Sequence, residues 1–184
     1  MRIASILFAA VISMSCHAKQ PQSDDCPLPS KAPPATSLKV DFLGVSSKVD
    51  FQVVGDDDDQ SVRIFLSRDR ARRIYVDEIL PEGGAPIIES VFTDQADKDP
   101  AKELFVLVKW EVGHAGLETE GSLFQVRIYD NAANSDDCGM ARIDALEKRF
   151  GMGLEGLQEG EAVRYKYKNA AEIRKHLREL GYRR

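Results

Sequence analysis

From Leu38 onward, apolar residues recur at every second position. Leu38, Val40 and Phe42 form one such set, Val49, Phe51 and Val53 the next, and Val62, Ile64 and Leu66 a third, mostly with polar residues between them. A period of two marks strands with one wet face, and short strands in succession make an antiparallel sheet. A further strand over Arg73 to Val76 leads through the turn Pro81–Pro86 to a strand over Ile87 to Phe92. Leu104 to Trp110 is apolar on both faces over much of its length, which predicts a central strand buried by helices on one side. Gly113 to Gly121 reads as a long hairpin loop, and Ser122 to Tyr129 returns beside the central strand with Phe124, Val126 and Ile128 on one face.

Beyond residue 131 the period turns helical. Met140, Ile143, Leu146 and Phe150 recur at three- and four-residue steps up to Gly151, with Asp136 or Asp137 as the expected N-cap. A last short strand is expected over Val163 to Tyr167. Asn169-Ala170-Ala171-Glu172 then has the spacing of a capping box, Ile173, Leu177 and Leu180 line one helical face, and Gly181 closes it. The expected fold is α+β: an antiparallel β meander of about six to eight strands with two C-terminal helices.

The segment before this pattern reads differently. Met1-Arg2-Ile3 precedes a short apolar run and the small residues Ser13-Met14-Ser15-Cys16-His17-Ala18, the layout of a secretory signal peptide spanning 1–18. Read as a degenerate lipobox, the same stretch instead ends a lipoprotein signal at residue 15 and makes Cys16 the acylated first residue. The apolar run is shorter than the roughly 20 residues a membrane-spanning helix needs. Residues 19–37, with five prolines among polar residues, predict a tether, and 38–184 a single globular domain. The expectation is an exported periplasmic protein, either soluble or, on the lipobox reading, tethered to a membrane only through lipid on Cys16. Export leaves Cys26 and Cys138, an even count in an oxidising compartment, for which a disulfide is the default pairing.

Charge narrows the partner. The chain carries a net charge of −5, unevenly spread. From Arg164 to Arg184 eight basic residues face Glu172 and Glu179, while residues 19–163 hold 16 basic against 28 acidic residues, a charge of −12. That balance disfavours nucleic acid and favours a basic protein or a cation. Its densest point is Asp56-Asp57-Asp58-Asp59, between the second and third strands, where aspartate suits a turn and four adjacent carboxylates call for a cation or a basic partner.

The residues that would carry catalysis are sparse. The three histidines, His17, His114 and His176, stand in no metal-ligand spacing, and neither a Gly-x-Ser-x-Gly elbow nor a phosphate loop is present, so no enzyme is expected. Contact with a partner falls instead to the loops 55–60, 94–103 and 113–121. The candidate residues are Asp56 to Asp59, His114, Glu118 and Glu120, with Trp110 as an aromatic anchor.

The run from Phe92 to Val108 sets acids at alternate positions before an apolar strand and resembles the calcium loops of integrin-type FG-GAP repeats. The resemblance implies Asp94, Asp97, Asp99 and Glu103 as oxygen ligands for calcium, the one cofactor considered. It departs from that pattern in placing Gln95 where the first Asp belongs and Pro100 where the turn glycine belongs.

The leader, this acidic loop, the strands around Trp110 and Tyr129, and the closing stretch Tyr165 to Arg174 together resemble a family of uncharacterised proteobacterial periplasmic proteins. They are also distantly similar to periplasmic immunity lipoproteins that protect against secreted peptidoglycan hydrolases. Over residues 85 to 182 the resemblance implies a non-enzymatic inhibitor of such a hydrolase. A structural envelope-associated lipoprotein and a calcium-binding adhesion or sensing module are the alternatives.

Overall fold

A computed structural model describes residues 27, 36–42, 45–56, 59–69, 72–97, 101–133 and 139–182. Ten strands and two helices form an α+β fold among them. The strands are β1 (Thr36–Phe42), β2 (Val45–Val54), β3 (Ser61–Asp69), β4 (Arg72–Ile79), β5 (Pro86–Asp94), β6 (Glu103–His114) and β7 (Thr119–Ala133). Next come β8 (Met140–Arg142), helix α1 (Asp144–Phe150), β9 (Met152–Gln158), β10 (Glu161–Val163) and helix α2 (Ala170–Glu179). No helix among the described residues is long and apolar enough to cross a membrane.

The strands form two antiparallel sheets rather than one meander. The first runs β1-β2-β3-β4; the second runs β10-β9-β7-β6-β5, with β8 also paired to β7. The alternation in β6 explains how they stack. Leu104, Val106, Val108 and Trp110 point toward the first sheet and pack with Phe51, Ile64, Leu66 and Ile79. Phe105 and Leu107 point the other way, joining Phe124, Val126 and Ile128 under Leu146 and Phe150 of α1 and Ile173 and Leu177 of α2. The result is three layers: sheet, sheet, helices. Each large side chain fully buried in these two cores contributes about 1.5–3 kcal/mol.

Three expectations need correction. The strand count exceeds six to eight because β8, β9 and β10 lie where no alternation is visible; Met152–Gln158 carries two glycines, and its strand exists because it pairs with the long β7 from Glu120↔Leu157 to Gln125↔Met152. The first helix starts at Asp144 with Ile143 at its cap, because Met140 and Arg142 pair with Ala133 and Tyr129 as β8. The expected caps Asp136 and Asp137 lie outside the described residues. Val163 to Tyr167 is strand only at Val163. Beyond it Tyr165 turns inward, stacks on Phe124 and fills the space above Gly153, where an ideal Cβ would lie 2.3 Å from the tyrosine ring. The box before α2 forms: Asn169 Oδ1 accepts from the Glu172 N–H at 3.0 Å, and Glu172 Oε2 accepts from the Lys168 N–H at 3.0 Å.

Candidate functional site

Strand register decides which connections share an end of the molecule. Val54 pairs with Ser61 and Val62 with Ile79, so the Asp-rich turn and the β4–β5 connection lie at one end of the first sheet. The Trp110 indole N–H donates to the Leu80 carbonyl at 3.0 Å, bringing the tip of the β6–β7 hairpin to that same end. Glu120 pairs with Leu157, which adds the β9–β10 turn. Four connections therefore converge, and their exposed side chains include Asp56, Asp59, Glu82, Glu118, Glu120, Glu159 and Glu161.

The two hairpins at this end are tied into one unit. The Gly160 N–H donates to the Glu118 carbonyl at 3.0 Å, and Thr119 Oγ1 accepts from the Glu159 N–H at 3.2 Å while donating to the Leu117 carbonyl at 3.1 Å. Glu118 and Glu159 both hold left-handed backbone, with φ of 47° and 52°, a conformation that costs a non-glycine residue roughly 1–2 kcal/mol. Between the hairpins run two adjoining hollows of about 510 and 630 Å³ that share Gly113, Glu120 and Leu157. The rest of the lining is Glu111, Val112, Gly121 and Gly156 on one side, and His114, Ala115, Glu118, Thr119 and Gly160 on the other.

Glu111 is anchored on one flank. Lys109 Nζ lies 3.0 Å from its Oε1 and Ser122 Oγ donates to its Oε2 at 2.8 Å; these two contacts, the lysine first, hold its carboxyl below the usual range. Among the described residues Glu118 and Glu120 form no ion pair. The groove is thus acidic at its rim, apolar along Leu157, and bare at its glycines.

His114, Glu118 and Glu120 stand together here, at the same end as Asp56 and Asp59. Asp57 and Asp58, like Cys16, Cys26 and Cys138, lie outside the described residues. Trp110 is not a surface anchor. It is fully buried, because its apolar ring completes the core between the sheets and its one polar atom finds the Leu80 carbonyl.

The 94–103 loop sits at the opposite end, where Asp94 pairs with Glu103 across β5 and β6. Asp94 Oδ1 accepts from the Gln95 N–H at 3.0 Å and Oδ2 from Arg174 Nε at 3.2 Å, while Glu103 is fully buried and accepts from the Ala96 N–H. Asp94 fastens the loop to α2, and Glu103 fastens the loop to the start of β6. Arg174 also lies over the Phe92 ring, 4.4 Å from its centre. Among the described residues no group of three or more His, Cys, Asp or Glu is gathered to hold a metal, and Asp99 lies outside them.

Sequence reasoning missed Gly156, Gly160 and Leu157, and placed Gly121 in a loop where it is paired in β7. The visible signal was a set of glycines inside strand-length segments, which marks close backbone approach. Comparison with protein-family models, curated proteins and solved structures finds no match to this chain.

Proposed function

We propose that this chain is an exported, non-enzymatic binding protein that uses its acidic end to capture a basic protein, the partner class being a secreted or periplasmic cell-wall hydrolase that it inhibits. The carrying observation is that the Asp-rich turn, the β6–β7 tip and the β9–β10 turn lie at one end, where Glu118 and Glu120 line a groove between the last two. Like charges held this close repel one another. The field they produce raises the association rate of a cationic partner and weakens as salt screens it. Hairpin tips tied to each other by hydrogen bonds also suit an inhibitor, since a pre-ordered projection loses little entropy on docking.

Affinity capture tests this reading. The immobilised protein is expected to retain a basic cell-wall hydrolase from secreted and periplasmic extract at near-stoichiometric level, with a loss of binding between 50 and 500 mM salt. Replacing Asp56 to Asp59 by lysine is expected to slow association measurably. Retention that ignores both salt and charge reversal would defeat the proposal.

A further inference from the structure

We infer that the groove between the β6–β7 hairpin and the β9–β10 turn is a subsite for one extended, arginine- or lysine-bearing segment of the partner. This rests on the binding function proposed above and specifies where and how the partner is held.

The floor comes first. Gly121 and Gly156 face each other across β7 and β9, both at positive φ (145° and 157°). An ideal Cβ on Gly121 would lie 2.3 Å from the Glu155 carbonyl oxygen, and one on Gly156 2.2 Å from that of Glu120. Neither position admits a side chain, because the backbone of the neighbouring strand already occupies its place, so β7 and β9 meet here as closely packed bare backbone. The hollows of about 510 and 630 Å³ open over this floor, each within the size range of sites that hold a small ligand or a few residues of a peptide.

The walls then select the occupant. Leu157 is 37 % exposed and gives the groove an apolar flank, while Glu118 and Glu120 stand exposed at its mouth; the Val112 side chain points from the other face into the core between the sheets. A long basic side chain has the matching shape: an apolar stem of three or four methylenes for Leu157, and a cationic head for the glutamates. A purely apolar segment would bury those carboxylates without a partner, and an anionic one would be repelled. A bare metal ion fits poorly, because among the described residues the carboxylates are not gathered as ligands.

The probe is the amidated peptide Gly-Arg-Gly-Arg-Gly, with citrulline in place of arginine as its uncharged isostere. Titrated into the purified protein, the arginine peptide is expected to shift the backbone amide resonances of Gly121, Gly156 and Gly160 saturably, and the citrulline peptide to leave them unmoved. The double variant Glu118→Gln/Glu120→Gln, altered only at exposed positions, is expected to weaken this binding about fivefold. Equal shifts with both peptides, shifts confined to other residues, or none at millimolar peptide would overturn the inference. Leu157→Lys separates it from the broader reading. If the variant abolishes capture of the whole partner, the groove is the contact. If capture survives Leu157→Lys but falls on reversal of Asp56 to Asp59, the groove inference fails and the acidic-end reading stands; if neither substitution matters, both fail.

Discussion

At the scale of single residues, Glu147 shows how a charge is kept inside the fold. It is 7 % exposed, its Oε1 accepts from the Ile128 N–H at 2.8 Å, and both of its oxygens take hydrogen bonds from Arg142. One side chain thereby ties α1 to the end of β7 and to β8. Glu147→Ala leaves a buried amide unmatched and a half-buried guanidinium with only the longer Asp144 contact, which is expected to cost about 2–3 kcal/mol in urea unfolding, with Glu147→Gln losing less. Glu78 is a second such residue. Burial acts to raise its pKa, but hydrogen bonds from Ser61 Oγ at 2.5 Å and Arg63 Nε at 2.8 Å outweigh that and hold it below its usual 4.5.

At the scale of elements, α2 is held at both ends of its first turns. Asn169 and Glu172 cap it, and Arg174 reaches Asp94 on β5. Asn169→Ala is expected to lower stability by about 1 kcal/mol, read as an earlier urea midpoint with unchanged slope. Asn169 and Glu172 could be picked out from spacing alone, since a capping box is local. The Arg174–Asp94 pair was not visible, because 80 residues separate its members and only the stacking of α2 on the second sheet unites them. β9 was hidden for a related reason. Gly153 weakens any local strand signal, and its value emerges only when the Tyr165 ring occupies the place of the missing side chain.

At the scale of the whole molecule, depressed carboxyl groups set the acid limb of stability. For Glu78 and Glu111 the folded pKa lies below the unfolded value. Their contribution is therefore fully present above about pH 4.5 and is lost as pH falls through the lower folded values. Thermal unfolding followed from pH 7 to pH 3 is expected to show a plateau and then a decline below about pH 4.5, and Glu78→Gln is expected to flatten part of that decline. A variant curve that parallels the parent throughout would remove Glu78 from the account. The acidic end belongs to this scale too: its members come from four connections, and strand register rather than sequence proximity makes them neighbours.

By itself the sequence determined what depends on near neighbours. Alternation marked β1, β2, β3 and β7, the doubly apolar run at Leu104 to Val108 marked β6 as buried on both faces, and the Asn169–Glu172 spacing marked the start of α2. The tertiary structure decided what depends on contacts between distant segments: the division into two stacked sheets, the burial of Trp110, the separation of the 94–103 loop from the other acidic turns, and the groove. The physical reason is that periodicity records which face of an element is buried but not what buries it. A glycine likewise records that a side chain is absent, and only the folded chain shows whether a ring fills the space, as Tyr165 does at Gly153, or the backbone of the next strand does, as at Gly121 and Gly156.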